Sequence, residues 1–288
     1  MRSGDRSLVI FTILSQWSVG IVVCLSGLAM ISGTQSLALN TGPRLANPVW
    51  LALLLVVVAT TASFLHLGTP SNAPKAIRNL ATSWLSREIL AIGLYTISLA
   101  GALLYGWSTG GAAYRGFLLA PCAITGLLLL WTMARVYRLP TVPAWNSGHT
   151  PLAFTLTTLC LGAMSFLLLV SSGAFGLDSR AFTIIKGLLA AALVLEIAAG
   201  WLQQRRLLKL GTGIDGPAFD RGTWHILFLV RLALLLASLL AVTLLVSHPE
   251  YSSENTALYG LYAIVALVVV QEVIGRVLFY ASYFRIGV

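Results

Sequence analysis

His66-Leu67-Gly68-Thr69-Pro70 closes the second of eight apolar runs, and Glu88 opens the third. Together they put an imidazole and a carboxyl group at one edge of a bilayer, on neighbouring helices. That combination suits the two oxygens and the protons of a quinone. A histidine titrates near neutral pH and can give or take a proton while hydrogen-bonding an oxygen. Glu88 would connect that proton to water, and the Gly68-Thr69-Pro70 turn would hold the imidazole in place. Each residue also has a plainer reading. A donor at a helix C-terminus and an acid in a first helical turn are both favoured by the helix dipole. Arg87, beside Glu88, could reach outward to the interface.

Other polar groups gather at the same edge. Arg135, Tyr137, Trp145, His149 and His225 lie at that end of the fourth, fifth and seventh runs. Gln16 is eight residues into the first run, about 12 Å deep at ~1.5 Å per residue. An ionisable side chain at the centre of a span costs about 2.5–3.5 kcal/mol on insertion scales, so the deeper ones need partners. Glu196 and Arg231 sit at matching depths on the sixth and seventh runs, where an interhelical ion pair is the simplest account. Glu272 and Arg276 are four apart on one helix and can pair along one face. Bis-histidine haem ligation requires two imidazoles facing each other across helices. His149 and His225 are shallow for a buried macrocycle and His248 is on the other side, so haem is disfavoured. Cys24, Cys122 and Cys160 stand alone in apolar runs, without the spacing of an iron–sulfur or zinc site, and read as small buried hydrophobes.

The elements that carry these residues follow from composition. The 288 residues are 58% hydrophobic and 9% charged, with mean hydropathy +0.88, against about 25% charged in ordinary soluble domains. Crossing the hydrocarbon core takes roughly 20 apolar residues. Runs near 8–32, 48–67, 88–107, 115–134, 151–172, 182–202, 224–246 and 257–280 meet that length. The expected fold is an all-α, polytopic membrane protein, a single integral membrane domain of eight transmembrane helices in two four-helix groups. Thr150 and Pro151 are expected as N-cap and first residue of the fifth helix. The first run is too long for a signal peptide's apolar region and lacks a small-residue cleavage site. Lys75–Leu80 followed by Trp84 reads as a short interfacial segment, and 203–223 as a polar loop, either a solvated linker or a contact for another subunit. No P-loop, G-x-G-x-x-G or G-x-S-x-G is present.

The net charge of +9 is one-sided rather than a nucleic-acid signature. Twelve basic residues fall in the N-tail, alternate loops and C-tail: Arg2, Arg6, Lys75, Arg78, Arg87, Arg135, Arg138, Arg205, Arg206, Lys209, Arg221 and Arg285. Three, Arg44, Arg115 and Arg180, fall on the opposite side. The positive-inside rule then places both termini and the His66–Glu88 edge in the cytoplasm of a bacterial or archaeal inner membrane. Docking of an acidic partner could also enrich that face in basic residues, with Lys75, Arg78, Arg205 and Arg206 as its candidates.

Leu8–Thr12 with Gln16, His66–Pro70, Ser86-Arg87-Glu88, Arg135-Val136-Tyr137, Thr141–Trp145 and Glu272–Tyr280 resemble, in order from first span to last, the dimethyl sulfoxide reductase membrane anchor subunit family. The resemblance implies an eight-helix anchor that binds neither haem nor cluster. Its partners would be an iron–sulfur electron-transfer subunit and a molybdopterin catalytic subunit. It would exchange electrons with menaquinone or ubiquinone, as in anaerobic respiration. The resemblance also implies that His66 and Glu88 serve quinol binding and oxidation; Gly68, Gln16, Arg135 and Tyr137, at the same edge, complete the expected quinone site. Familiar reductases of the family face the periplasm, whereas the charge count here points to the cytoplasm. Trp84–Glu88 is similar to relatives that anchor cytoplasm-facing sulfite-oxidising complexes. A rival of another class is a small secondary transporter using Glu196, Arg231 and Glu272. Against it, the two halves lack Gly/Pro-broken helices at matching positions.

Overall fold

A computed structural model describes residues 3–32, 47–64, 79–108, 116–172, 177, 179–210, 221–247 and 255–284. Those residues are helical throughout, apart from short turns. The helices are α1 (Ser3–Ser32), α2 (Pro48–Phe64), α3 (Trp84–Ser108), α4 (Gly116–Tyr137), α5 (His149–Ser171), α6 (Ser179–Lys209), α7 (Arg221–Ser247) and α8 (Asn255–Ala281). Seven are long and apolar enough to cross a membrane, and α2 is an apolar helix of 17 residues. The protein is a polytopic helical membrane protein. His66, Gly68, Lys75 and Arg78 lie outside the described residues, as does nearly all of the expected interfacial segment.

Local chemistry sets the ends. Asn47 Oδ1 accepts from the amide of Val49 at 3.0 Å and Pro48 takes the first helical position, a cap-and-proline start for α2. Ser83 Oγ accepts from the amide of Ser86 at 3.2 Å and starts α3. The expected cap of α5 is corrected: Thr150 Oγ1 donates to the Trp145 carbonyl at 2.6 Å, and the helix begins at His149 after an uncapped Gly148. At 31 residues α6 is about 46 Å long, more than a hydrocarbon core of about 30 Å, so Gln203–Lys209 continue the helix beyond its apolar part.

α1 and α5 are the most buried helices and α7 the least. α1 packs on α2, α4 and α5; α2 meets α3, and α3 meets α4. α5 packs on α6 and α8, with α7 completing contacts to both. Among lipid tails apolar contact gives no hydrophobic gain, so helices associate by close packing and hydrogen bonds. The α1–α5 crossing shows both. Gly20 and Gly162 meet backbone to backbone: a Cβ on either would overlap main-chain atoms of the other helix, including the Thr158 carbonyl and Gly20 itself. Trp17 Nε1 donates to Ser165 Oγ at 2.6 Å beside them. Ser18 Oγ donates to the Ala52 carbonyl at 2.6 Å and lies 2.9 Å from the Tyr95 hydroxyl, joining α1, α2 and α3. Outward faces carry exposed Leu54, Ile97, Leu104, Ile124, Ile226 and Leu240, the apolar coat that a bilayer covers.

Candidate functional site

Trp84 and Arg87 in the first turn of α3 and Glu88 just beyond it point in different directions, so Glu88 is not the first-turn acid that the sequence offered as its plainer reading. Arg87 turns back, donating from Nε and Nη2 to the carbonyls of Leu80 and Ala81, each at 2.8 Å. Its guanidinium also lies 4.1 Å from the Trp84 ring centroid, while Arg135 of α4 lies 4.6 Å from the same centroid. Both arginines thus pack on one aromatic ring. Glu88 points inward. It is only 5% exposed, and its Oε1 has no hydrogen-bond partner among the described residues. A buried carboxyl oxygen left unpaired is expensive, which marks a place for a proton or a ligand donor.

Around Glu88 the end of the bundle is aromatic and polar. Tyr137 and Tyr280, both buried, bring their hydroxyls to 2.7 Å and lie within electrostatic reach of Glu88. Trp145 stacks on Phe279 at 5.2 Å and donates to its carbonyl at 2.8 Å, which pins the turn between α4 and α5 to the end of α8. Gln16 joins α1 to α4 and α8: its Nε2 meets Met133 Sδ at 3.6 Å and its Oε1 accepts a hydrogen bond from Arg276 Nη2. The Arg276 guanidinium lies 4.0 Å from the Phe154 ring centroid. The structure therefore gathers Glu88, Arg135, Tyr137, Gln16 and Arg276 at one end. It brings Tyr280, Trp145, Phe154 and Phe279 with them.

Deeper in α5–α8 lies a second polar group. Glu196 Oε2 and Arg231 Nη2 are 3.4 Å apart, across α6 and α7. The guanidinium passes over Gly275, where any Cβ would strike it. The expected Glu272–Arg276 pair is corrected: Arg276 takes Gln16 instead, and Glu272 accepts from Thr157 Oγ1 at 2.7 Å and from Gln271 Nε2 at 3.0 Å. The i,i+4 rule describes a lone helix surface, and here better-placed donors come from α5 and from the neighbouring glutamine. Arg231→Leu strands Glu196 in the interior, and breaking a buried pair costs about 3–5 kcal/mol, so membrane accumulation of the variant should fall steeply. Adding Glu196→Leu should restore part of it. Immunoblots of membranes check this, and strictly additive defects would show that the two do not act as partners.

A cavity of about 60 Å³ opens between α5, α6, α7 and α8, with His149, Gln203, Arg231, Glu272 and Arg276 in its wall. His225 is exposed. Of the expected docking residues, Arg205 is exposed and packs 5.2 Å from the Trp201 ring centroid. Arg206 is committed inward, donating to the carbonyls of Pro143 at 3.2 Å and Asn146 at 3.5 Å. With Gln203 Nε2 on the Ala144 carbonyl at 3.2 Å, it ties the end of α6 to the α4–α5 turn. Sequence reasoning misses Thr157, Gln203 and Gln271. Gln271-Glu272 inside an apolar run is the available signal; a lone threonine in a span gives none.

A bundle of apolar helices with a polar end and a buried polar seam defines an integral membrane subunit. The chain belongs to the family described as DMSO reductase anchor subunit (DmsC), which matches residues 1–282. It is 28% identical to the YnfH protein of an anaerobic dimethyl sulfoxide reductase from Escherichia coli K12, over 97% of this chain and 95% of that one. A second anaerobic dimethyl sulfoxide reductase component of the same organism is also 28% identical, over 100% of this chain and 98% of the relative. A sulfite dehydrogenase component of Allochromatium vinosum is 31% identical over half of this chain and 49% of its own length. No solved structure matches the chain.

Proposed function

We propose that this protein anchors a molybdoenzyme complex in the membrane and exchanges electrons between the quinone pool and an iron–sulfur subunit. The observation that supports it most is Glu88: buried, with one oxygen unpartnered among the described residues, near Tyr137 and Tyr280 at the polar end of the bundle. In this reading the eight helices all span, α1–α4 as one group and α5–α8 as the other. A quinone head group enters from the lipid near the end of α2. His66 hydrogen-bonds one of its oxygens, and Glu88 takes or gives the proton that accompanies each electron. Electrons pass to or from the nearest cluster of the docked subunit, which carries them to a molybdopterin subunit. The quinone, menaquinone or ubiquinone, is an exchangeable substrate.

Twelve basic residues against three support a cytoplasmic position for both termini and for the docked subunits. That asymmetry favours a second reading within the same class, the anchor of a cytoplasm-facing sulfite dehydrogenase, in keeping with the likeness to the sulfite dehydrogenase component. Affinity purification from mildly solubilised membranes should bring iron and molybdenum with the chain, and their absence would remove the anchor role. A cysteine in place of Gly211 should react with an impermeant thiol reagent only after cells are permeabilised. Labelling of intact cells would reverse the orientation and return the protein to a periplasm-facing branch.

A further inference from the structure

Two buried carboxyl groups face each other among α5–α8, and only one of them has an ion-pair partner among the described residues. An oxygen of Glu196, an oxygen of Glu272 and the Sγ of Cys160 all lie within 4.8 Å of one another, and all three residues are buried. Arg231 is 3.4 Å from Glu196. The second guanidinium, Arg276, is spent on Gln16 and the Phe154 ring. Glu272 is therefore held by two neutral donors, Thr157 and Gln271. Two carboxylates this close in a protein interior do not both ionise, and such a pair binds one proton in common. The other charged or titratable groups facing it are Cys160 from α5, Arg231 from α7 and Arg276 from α8, with His149 of α5 on the same cavity wall as Glu272.

The cluster also has a route to water. Glu272, Arg231 and Arg276 form part of the wall of the 60 Å³ cavity, whose other polar lining includes the half-buried His149, Gln203 and Gln204. A single water needs roughly 10–15 Å³ of such space and a few polar partners. Partners are present: Arg231 Nε, Arg276 Nε and Gln203 Oε1 are buried without hydrogen bonds among the described residues, and Arg276 is only 4% exposed. The cavity thus runs from half-buried polar side chains to Glu272, one member of the buried carboxyl pair.

We propose that Glu196 and Glu272 form a proton-binding site, shared between the two carboxyls and fed through a hydrated cavity between α5, α6, α7 and α8. The proton arrives from cavity water, adds to one carboxylate oxygen to give a carboxylic acid, and leaves by the same path. This site is separate from Glu88 and does not depend on quinone chemistry there. Arg231 fixes one partner as the anion, and Thr157 and Gln271 hold the other in place.

Infrared difference spectra of the purified complex, recorded between acidic and alkaline pH, test it. The wild type should show the C=O stretch of a protonated carboxyl group. Glu272→Gln should abolish the band, because Glu196 is then left as an anion beside Arg231. Glu196→Gln should shift the band without abolishing it, because the proton then belongs to Glu272 alone, between Thr157 and Gln271. A band that survives Glu272→Gln, or one that Glu196→Gln leaves unmoved, overturns the shared site. Ala153→Phe, which fills the cavity from its α5 wall, should keep the band but slow its shift in heavy water. Unchanged exchange in that variant overturns the cavity route. Zinc or manganese bound by the wild type and lost in Glu272→Gln would overturn the proposal in favour of a metal site. Each variant is measured as the intact complex, so retention of the partner subunits separates a local change from misfolding.

Discussion

Replacing His66 by Ala should lower quinone-coupled turnover of the assembled complex by about 10²–10⁴-fold, the usual worth of a positioned acid–base group. Electron delivery from a soluble dye to the catalytic subunit should be unaffected, because it bypasses the membrane. Glu88→Gln should act in the same direction and more mildly. The glutamine keeps the volume and one acceptor oxygen of a side chain that is 5% exposed, but it cannot carry the proton. Its amide also adds a donor beside the Tyr137–Tyr280 hydroxyl pair. The split between quinone-coupled and dye-coupled rates distinguishes a site residue from a structural one. If both rates fall together in His66→Ala, the residue holds the complex together and the quinone assignment is wrong. If neither falls, the proton passes elsewhere, and the paired carboxyls of α6 and α8 become the next place to look.

The helices are legible in the sequence because twenty apolar residues in a row have few other fates. The edge that carries Glu88, Arg135, Tyr137 and Gln16 is legible because polar residues in spans are expensive. Hydropathy gives lengths that are too short where a helix outlasts its apolar stretch. Arg135 and Tyr137 ride the last turn of α4, and Gln203–Lys209 continue α6, since hydropathy sees the bilayer and not the hydrogen-bonded backbone. Arg206 reads on paper as a free docking cation, yet it binds carbonyls 60 and more residues away. Arg276 shows the same limit. Its spacing from Glu272 points along one helix, while its partner Gln16 lies 260 residues distant, and no periodicity encodes such a choice. Gly275 acquires a reason only in the folded bundle, where it clears the path of Arg231. Gly20 and Gly162 carry no signal at all. They are two among 26 glycines, and nothing local separates them from Gly101 or Gly187, where an added Cβ would meet open space.

That contrast gives a large and simple expectation. Gly162→Leu should abolish accumulation of the protein in the membrane, whereas Gly101→Leu should leave it near wild type. At Gly162 the first added carbon falls on the backbone of Gly20, and a main chain cannot rotate away as a side chain can. Overpacking of ordinary cores costs about 1–3 kcal/mol. A main-chain overlap between the two most buried helices stands above that range, a large share of the roughly 5–15 kcal/mol that typically holds a domain folded. The damage would not stay at the crossing. Gln16 is one helical turn from Gly20, so parting α1 from α5 pulls Gln16 away from Arg276 and Trp17 away from Ser165, which removes two of the contacts that tie α1 to α5 and α8. Gly20→Ala should be milder than Gly162→Leu yet clearly destabilising, since its Cβ meets the Thr158 carbonyl. Protein levels in membranes, together with retention of the partner subunits on purification, check the series. Normal levels of Gly162→Leu would mean that the helices cross elsewhere, and the seam built on Gln16 would have to be redrawn with them.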